Sequence, residues 1–555
     1  MIGRRLRIAA VASVILLAGA GSAAAGPLTR GPLVQVSGAS PIAACDGDDA
    51  NIGGTNVTNS EVEPWLSVDP SNPNIMIGAW QQDRWSNGGS EGLVTATSTN
   101  GGAAWTVNAK TRSTTCTGGT AGNGGNYERA SDPWVAISPN GTAYLMSLSV
   151  DSNPGGFDTS PNAMLVMRST NNGATWENPV TLIRDESQNV LNDKNSITAD
   201  PNDSKFVYAV WDRLLSPPSG NTSQKAFENA RAFGGDPYLA RTTDGGNTWE
   251  SARKIFKAGT VAQTIGNQIV VLPDNATFNG ELIDVFTQFR GAKNENDTRG
   301  YNIAAIRSGD KGATWSKKEI IISDFQRGIV VDPDDGAAHR TGDINPEAIV
   351  DLKTGAAYVV WQDLRFGPRS SIAFSQSLDG GLTWSTPIRV NQTPAADPGE
   401  PTGNNQAFTP MVQVLNDGTV AVSYYDFRNN TADSGATTPT DAFVVHCHNN
   451  CANANSWGQE TRVTDASFDQ RADCGLRPGG RTLRRRHFVF CSGRELGRSV
   501  GALDAAGRGE SHQARLSGCW VRVLLVDYTR LRRVSLRTAQ RPVRIREVTG
   551  SIEPV

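Results

Sequence analysis

Ser98-Thr-Asn-Gly-Gly-Ala-Ala-Trp105 returns four more times along the chain, as Ser169 to Trp176, Thr242 to Trp249, Ser308 to Trp315 and Ser377 to Trp384. The shared pattern is Ser/Thr-x-Asp/Asn-x-Gly-x-Thr-Trp, with Ala104 in place of Thr in the first copy. A sixth, degenerate copy ends at Trp457, where Cys447-x-x-x-Cys451 stands in for the turn. The six Trp are separated by 71, 73, 66, 69 and 73 residues. Such periodicity is the mark of a repeat architecture. The octapeptide itself reads as a turn: Ser/Thr and Asp/Asn side chains fold onto nearby backbone N–H groups, Gly permits the reversal and Trp plugs the turn into a core. It is a staple, with no catalytic role.

Upstream of each octapeptide lie two strand-like segments. Trp65 to Pro70 with Ile75 to Trp80 is the first pair, and Trp134 to Ile137 with Ala143 to Leu148 the second. Ser196 to Ala199 with Phe206 to Trp211, and Ile269 to Leu272 with Leu282 to Phe286, follow. Ala348 to Val350 with Ala356 to Trp361, and Met411 to Val414 with Val420 to Tyr425, complete six. Four strands in each of six units predict an all-β protein, a six-bladed β-propeller of four-stranded antiparallel blades. The propeller spans 55–470, after a signal peptide (1–25) and an extended segment (26–54), and an irregular basic tail (471–555) follows it.

The composition agrees: 58 Gly, 13 Trp and 19% charged residues in 555 exclude disorder, collagen and coiled coil. Residues 1–470 hold 34 Lys+Arg and 48 Asp+Glu, a net of −14, whereas 471–555 hold 18 Arg, no Lys and 7 acids, a net of +11; together they give the −3 of the whole chain. An acidic body speaks against a nucleic-acid partner, which calls for basic patches. In the tail the repeat pattern stops. Arg484-Arg485-Arg486 and Arg541 to Arg546 read better as the product of a shifted reading frame than as an anionic-surface binder or an accessory domain, because all periodicity is lost.

Arg4, Arg5 and Arg7 precede an apolar run, Ile8 to Ala18, and Ala23-Ala24-Ala25 precedes Gly26. This is the pattern of a cleavable secretory signal and implies a secreted monomer with no membrane span after cleavage. Of seven Cys, four lie in the body. Cys447 and Cys451 suit a local bridge, which leaves Cys45 for Cys116, although four cysteines allow three pairings. His446-Cys447-His448 with Cys451 also has the makings of a metal site; export favours the bridge.

With five octapeptides, six units and a secretory signal, the chain resembles the bacterial sialidase (neuraminidase) superfamily, also known as BNR or Asp-box repeat proteins, over roughly residues 55–465. The resemblance implies an exo-alpha-sialidase type of glycoside hydrolase acting on a terminal sialic acid or related anionic sugar of a glycan or glycoconjugate, with no cofactor and no metal. The runner-up is a secreted glycan-binding or scaffold propeller that has lost the cleavage residues. A sialic acid carries a carboxylate at its anomeric carbon, so arginines clamp it, a Tyr replaces the usual carboxylate nucleophile, and acidic groups assist.

In a propeller of this kind the pocket is built by residues that enter the first strand of a blade or leave the second. Those entering include Glu61, Glu63, Arg129, Asp132, Asp193, Lys194, Asn267, Gln268, Arg340, Asp343, Asn345 and Glu347; those leaving include Asp83, Arg84, Asp212, Arg213, Asp363, Arg365, Tyr424, Tyr425, Asp426 and Arg428. From these, Tyr424 or Tyr425, Glu347, Glu63 and Asp132 are the catalytic candidates. Arg84, Arg129, Arg340, Arg365, Arg428, Asp83, Asp363 and Gln268 are the substrate-binding ones. Two positions depart from the family: Val62 stands where the first clamp arginine is expected, and Gln268 where a Glu polarises the Tyr. Arg340, Arg365 and Arg428 are then expected to converge on the axis. For each Asp-Arg pair, an ion pair that aligns neighbouring blades is the competing role. Trp80, Trp85 and Trp361 lie near the rim, with core packing expected for Trp80 and Trp361.

Overall fold

The computed structural model describes residues 28, 31–45, 47, 54–151, 161–215, 234–259, 262–290, 300–339, 341–395, 399, 402–431 and 437–469. The signal peptide, Arg340 and the basic tail with its three cysteines fall outside the described residues. What is described is all-β, with short 3-10 turns as the helical content.

Six times the chain forms four consecutive antiparallel strands, in units spanning 56–108, 129–185, 190–254, 262–324, 347–389 and 407–462. The first strands of the units are Asn56–Val68, Arg129–Ile137, Val190–Ala199, Ala262–Val271, Glu347–Val350 and Ala407–Val414. First strands of successive units lie side by side. Most run longer than their apolar cores suggest, because each continues through a bulge into polar sequence. A hairpin, Val330–Val331 with Ala338–His339, is inserted between units four and five.

Each octapeptide joins a third strand to a fourth, and its staple is drawn the same way five times. The Ser/Thr hydroxyl accepts from the backbone N–H four residues on, at 2.8–2.9 Å, and bonds to the Asx carboxyl or amide oxygen two residues on. That oxygen in turn accepts the N–H of the Thr or Ala before the Trp, at 2.8–3.0 Å. Gly246 shows why glycine is required: its φ is +82°, and a Cβ would lie 2.7 Å from the Tyr144 ring. The turns sit at the end of the unit where the second strand begins, as Met76 opposite Ser98 shows.

The apolar cores fill the seams between units. Ile77 and Leu93 of unit one meet Val135 and Leu165 of unit two, Met146 of unit two meets Trp211 of unit three, and Tyr208 of unit three meets Ile269 of unit four. Val285 of unit four meets Val359 of unit five, and Phe374 of unit five meets Val422 and Trp457 of unit six. Units six and one are bridged differently, by the N-terminal segment. Leu28 and Leu33 pack on Val444 and Val463 of unit six, while Val36 packs on Trp80 and Val94 of unit one. Thr461 donates to the Leu28 carbonyl at 2.9 Å, and Ser40 binds Asp83 and Asn59. The Cys45–Cys116 disulfide ties the strap down.

Cys447 and Cys451 are bridged as well, which removes the metal reading of that loop. The neighbouring His446 is pushed down to about 4 by burial and by His448 beside it. Trp457 donates to the Cys451 carbonyl at 3.0 Å, so the bridge takes the place of the sixth turn.

Candidate functional site

The first strands of five units break register at the same place: between Val62 and Trp65, Ser131 and Trp134, Asp193 and Ser196, Ile265 and Gln268, and Phe408 and Met411. At each break one residue is left-handed: Glu63 (φ 52°), Asp132 (51°), Lys194 (45°), Gly266 (68°) and Thr409 (49°). Only glycine takes this conformation freely, and a β-branched residue such as Thr409 is the most strained. At Gly266 a Cβ would also lie 2.9 Å from Asn345. A bulge keeps the strand paired while re-aiming a side chain. Strain of about 1–3 kcal/mol per residue persists where surrounding bonds hold it.

Second strands supply several of those bonds, and at Gly266 and Thr409 the strand belongs to the preceding unit. Gln81 of unit one reaches Glu63 and, at 3.1 Å, Ser131 of unit two. Asp212 of unit three accepts from Thr264 at 2.7 Å, from the Gly266 N–H at 2.8 Å and from the Asn267 amide of unit four. Gln362 of unit five accepts from the Thr409 N–H of unit six at 2.9 Å. Burial pushes Asp212 up to about 8, against the opposing hydrogen bonds of Thr264 and Gly266. The polar residues that leave the second strands therefore serve largely to align units.

All five bulge residues line one cavity of about 920 Å³, walled by the first strands of all six units. None of the octapeptides reaches it. Glu63, Arg84, Asp132, Lys194, Gln268, Glu347 and Tyr425 are among its lining side chains. Lys194 Nζ lies 3.0 Å from Asp132 Oδ1 and 3.6 Å from Asp193. Arg84 donates to the Gly89 carbonyl at 2.6 Å. Burial pushes Glu347 up to about 8, and its side-chain hydrogen bond to Gln268 acts in the opposite direction. Gln268 Oε1 accepts the Ala348 N–H at 2.8 Å, so one amide braces both the backbone and the side chain of this segment.

The tyrosines separate by strand alternation. Tyr425 lines the cavity, with its hydroxyl raised above the usual range by burial. Tyr424 is buried on the other side, where its hydroxyl donates to Glu460 and accepts the Gln392 N–H at 2.9 Å.

Of the four described arginines among the site candidates, the structure brings Arg84 to the cavity and holds the other three elsewhere. Arg428 is paired to Asp426 and Glu460, with its guanidinium 3.6 Å from the Phe443 ring centroid. Arg365 bonds Asp363 at 2.8 Å and the Asp324 carbonyl. Arg129 is buried, 4.1 Å from the Trp85 ring and 2.8 Å from Asn87. Contrary to the expected convergence, Arg365 and Arg428 do not line the cavity, because each has an acid two residues before it that captures it. Asp363 accepts the Trp361 indole N–H at 2.7 Å, and Asp83 accepts from Ser40 and Asn59. Trp80 and Trp361 are core residues as expected, while Trp85 lines the cavity.

Asn195, Thr409, Trp65 and Trp134 also line the cavity, and residue type alone does not single them out; the Pro after Glu63, Asp132 and Thr409, which sits at the bulge, is the signal that could have found them.

No known family model and no curated protein matches the chain. Solved structures do. An α-L-arabinofuranosidase from Fusarium graminearum, bound to an iminosugar inhibitor, has 16% identity over 72% of this chain and 94% of its own, with a TM-score of 0.39. An α-L-arabinanase from Penicillium chrysogenum complexed with arabinobiose has 15% identity over 71% and 93%, with a TM-score of 0.39. Trypanosoma rangeli sialidase has 14% identity over 70% and 55%, with a TM-score of 0.37. With each score below 0.5, these likenesses decide neither the chemistry nor the substrate.

Proposed function

We propose that the six units are the blades of a closed six-bladed β-propeller and that the chain is an exported glycoside hydrolase working in its axial cavity. The observation that supports this best is the pairing of two kinds of carboxyl in one cavity. Glu347, pushed up to about 8, carries its proton at neutral pH, and the Asp132 carboxylate is held by Lys194. In a ring of six, units two and five face each other across the axis, so the two groups flank a bound sugar. Glycoside hydrolysis needs this division of labour. Glu347 gives its proton to the glycosidic oxygen as the C–O bond breaks. Asp132 answers the positive charge at the anomeric carbon, by attack or by taking a proton from water. The two disulfides support an extracellular location.

A second reading, the sialidase type, is favoured by the presence of Tyr425 and Arg84 in the cavity. There Tyr425 is the nucleophile, and Arg84 with Lys194 meets the substrate carboxylate. A panel of fluorogenic glycosides that includes a sialoside separates the two. Turnover of a neutral glycoside that is lost in Glu347→Gln supports the first reading. Sialoside turnover that is lost in Tyr425→Phe selects the second. Binding on a glycan array with no turnover anywhere defeats both and leaves a carbohydrate-binding module.

A further inference from the structure

Apart from Asp69, the charged side chains of the axial cavity lie at one level. Glu63, Arg84, Asp132, Lys194 and Glu347 stand at or beside the bulges. Two residues further along the strands, on the same face by strand alternation, Gln268 gives way to Val270, Glu347 to Ile349 and Thr409 to Met411. At this depth Trp65 and Trp134 also line the wall, stacked with ring centroids 3.4 Å apart and planes 25° from parallel. Below them the next ionisable lining residue is Asp69, at the far end of the first strand, and its Oδ1 is occupied by Ser71 and Asn72 of its own turn.

An uncharged aromatic belt next to a charged level of the cavity has a definite ligand preference. A carboxylate placed at this depth would lose its hydration with no cation to meet it. A flat hydrocarbon face would gain by leaving water and stacking on the Trp pair. At about 920 Å³ the cavity is at the upper end of ligand sites, about 300–1,000 Å³, and has room for a group on this belt as well as a sugar at the charged level.

We propose that the belt formed by Trp65, Trp134, Val270, Ile349 and Met411 is a subsite for the flat, uncharged hydrocarbon face of a ligand. Such a face has two sources, an aryl group on a glycoside or the C–H face of a neutral deoxy sugar. The choice of bond cleaved rests on the hydrolase reading; the binding does not.

The test is calorimetric titration of the full chain carrying Glu347→Gln, so that turnover is slowed. Phenyl β-D-glucoside is compared with methyl β-D-glucoside for the aryl source, and methyl α-L-rhamnoside with N-acetylneuraminic acid for the sugar source. The expected result is at least a tenfold preference for phenyl over methyl glucoside, or for the rhamnoside over the acid; whichever pair shows it identifies the source. Trp134→Ala should abolish that preference. Because Trp134 also packs in the core, Met411→Lys, at a half-exposed position of the belt, serves as the second variant, with its fold checked by circular dichroism. It should remove the preference and improve binding of the acid. Equal affinities within both pairs, or a preference unchanged in a folded Met411→Lys, would overturn the subsite. If no glycoside is ever hydrolysed by the unmodified chain yet the preference holds, the hydrolase reading falls and the subsite stands. Turnover without the preference gives the reverse.

Discussion

Glu347 owes its character to two neighbours of opposite effect. Burial among the first strands holds its proton on, and the Gln268 amide, braced on the Ala348 N–H, stabilises the charged form. Removing the amide leaves burial unopposed. Gln268→Ala should therefore move the basic limb of the pH–rate profile upward from about pH 8, since the acid must be protonated to act. A merely structural loss would lower kcat/KM without shifting that limb. Glu347→Gln should reduce kcat on the order of 10²–10⁴-fold and remove the limb, measured on whichever glycoside the panel selects. At this scale the sequence is only half legible. Residue types at the entrances to the first strands mark Glu63, Asp132, Gln268 and Glu347. Which of Tyr424 and Tyr425 meets the cavity, and which arginines do, stays hidden. An Arg two residues after a buried Asp is as well suited to pairing with it as to clamping a ligand, and the choice lies in packing.

The recurring element is the octapeptide turn, whose regular spacing makes the six units readable from the amino acids alone. Its Asp or Asn oxygen accepts at least two bonds in every copy. In Asp244 the hydrogen bonds from Thr248 hold the carboxyl below the usual range; in Asp310 and Asp379 those from Thr314 and Thr383 do so against burial. A depressed carboxyl stabilises the fold above its unfolded value, and that contribution is lost as pH falls through the folded one. The first two copies carry Asn100 and Asn171 instead and build the same turn. Replacing Asp244, Asp310 and Asp379 together by Asn should thus leave a folded protein at pH 7. Its melting temperature should fall less than that of the unmodified chain when both are acidified below about pH 4, the unperturbed Asp range. Asp379→Ala, which deletes the acceptor, should cost about 1–2 kcal/mol in denaturant unfolding. The bulges are far less legible than the turns. They arise from pairing between strands, which makes strained strand members of residues whose types suggest a loop.

For the whole molecule, the decisive feature is the strap. Five seams between successive units are closed by apolar clusters, and residues 28 and 31–45 bridge units six and one. The two disulfides should therefore differ sharply in worth. Cys45 and Cys116 are 71 residues apart and Cys447 and Cys451 only 4, so in the chain-entropy model the first stabilises on the order of 4 kcal/mol and the second about 2. Calorimetry of Cys45→Ser/Cys116→Ser beside Cys447→Ser/Cys451→Ser should show the larger fall in the strap pair. Hydrogen exchange should rise first in units one and six. The strap also imposes an order of events. Leu28 is held by Thr461, 433 residues later, although it leaves the ribosome long before its seat exists. Throughout synthesis the latch has nothing to engage, and a nascent chain cut short before Thr461 holds the five earlier units yet leaves the strap unseated. Completion of the last unit is thus read out by a residue made near the start.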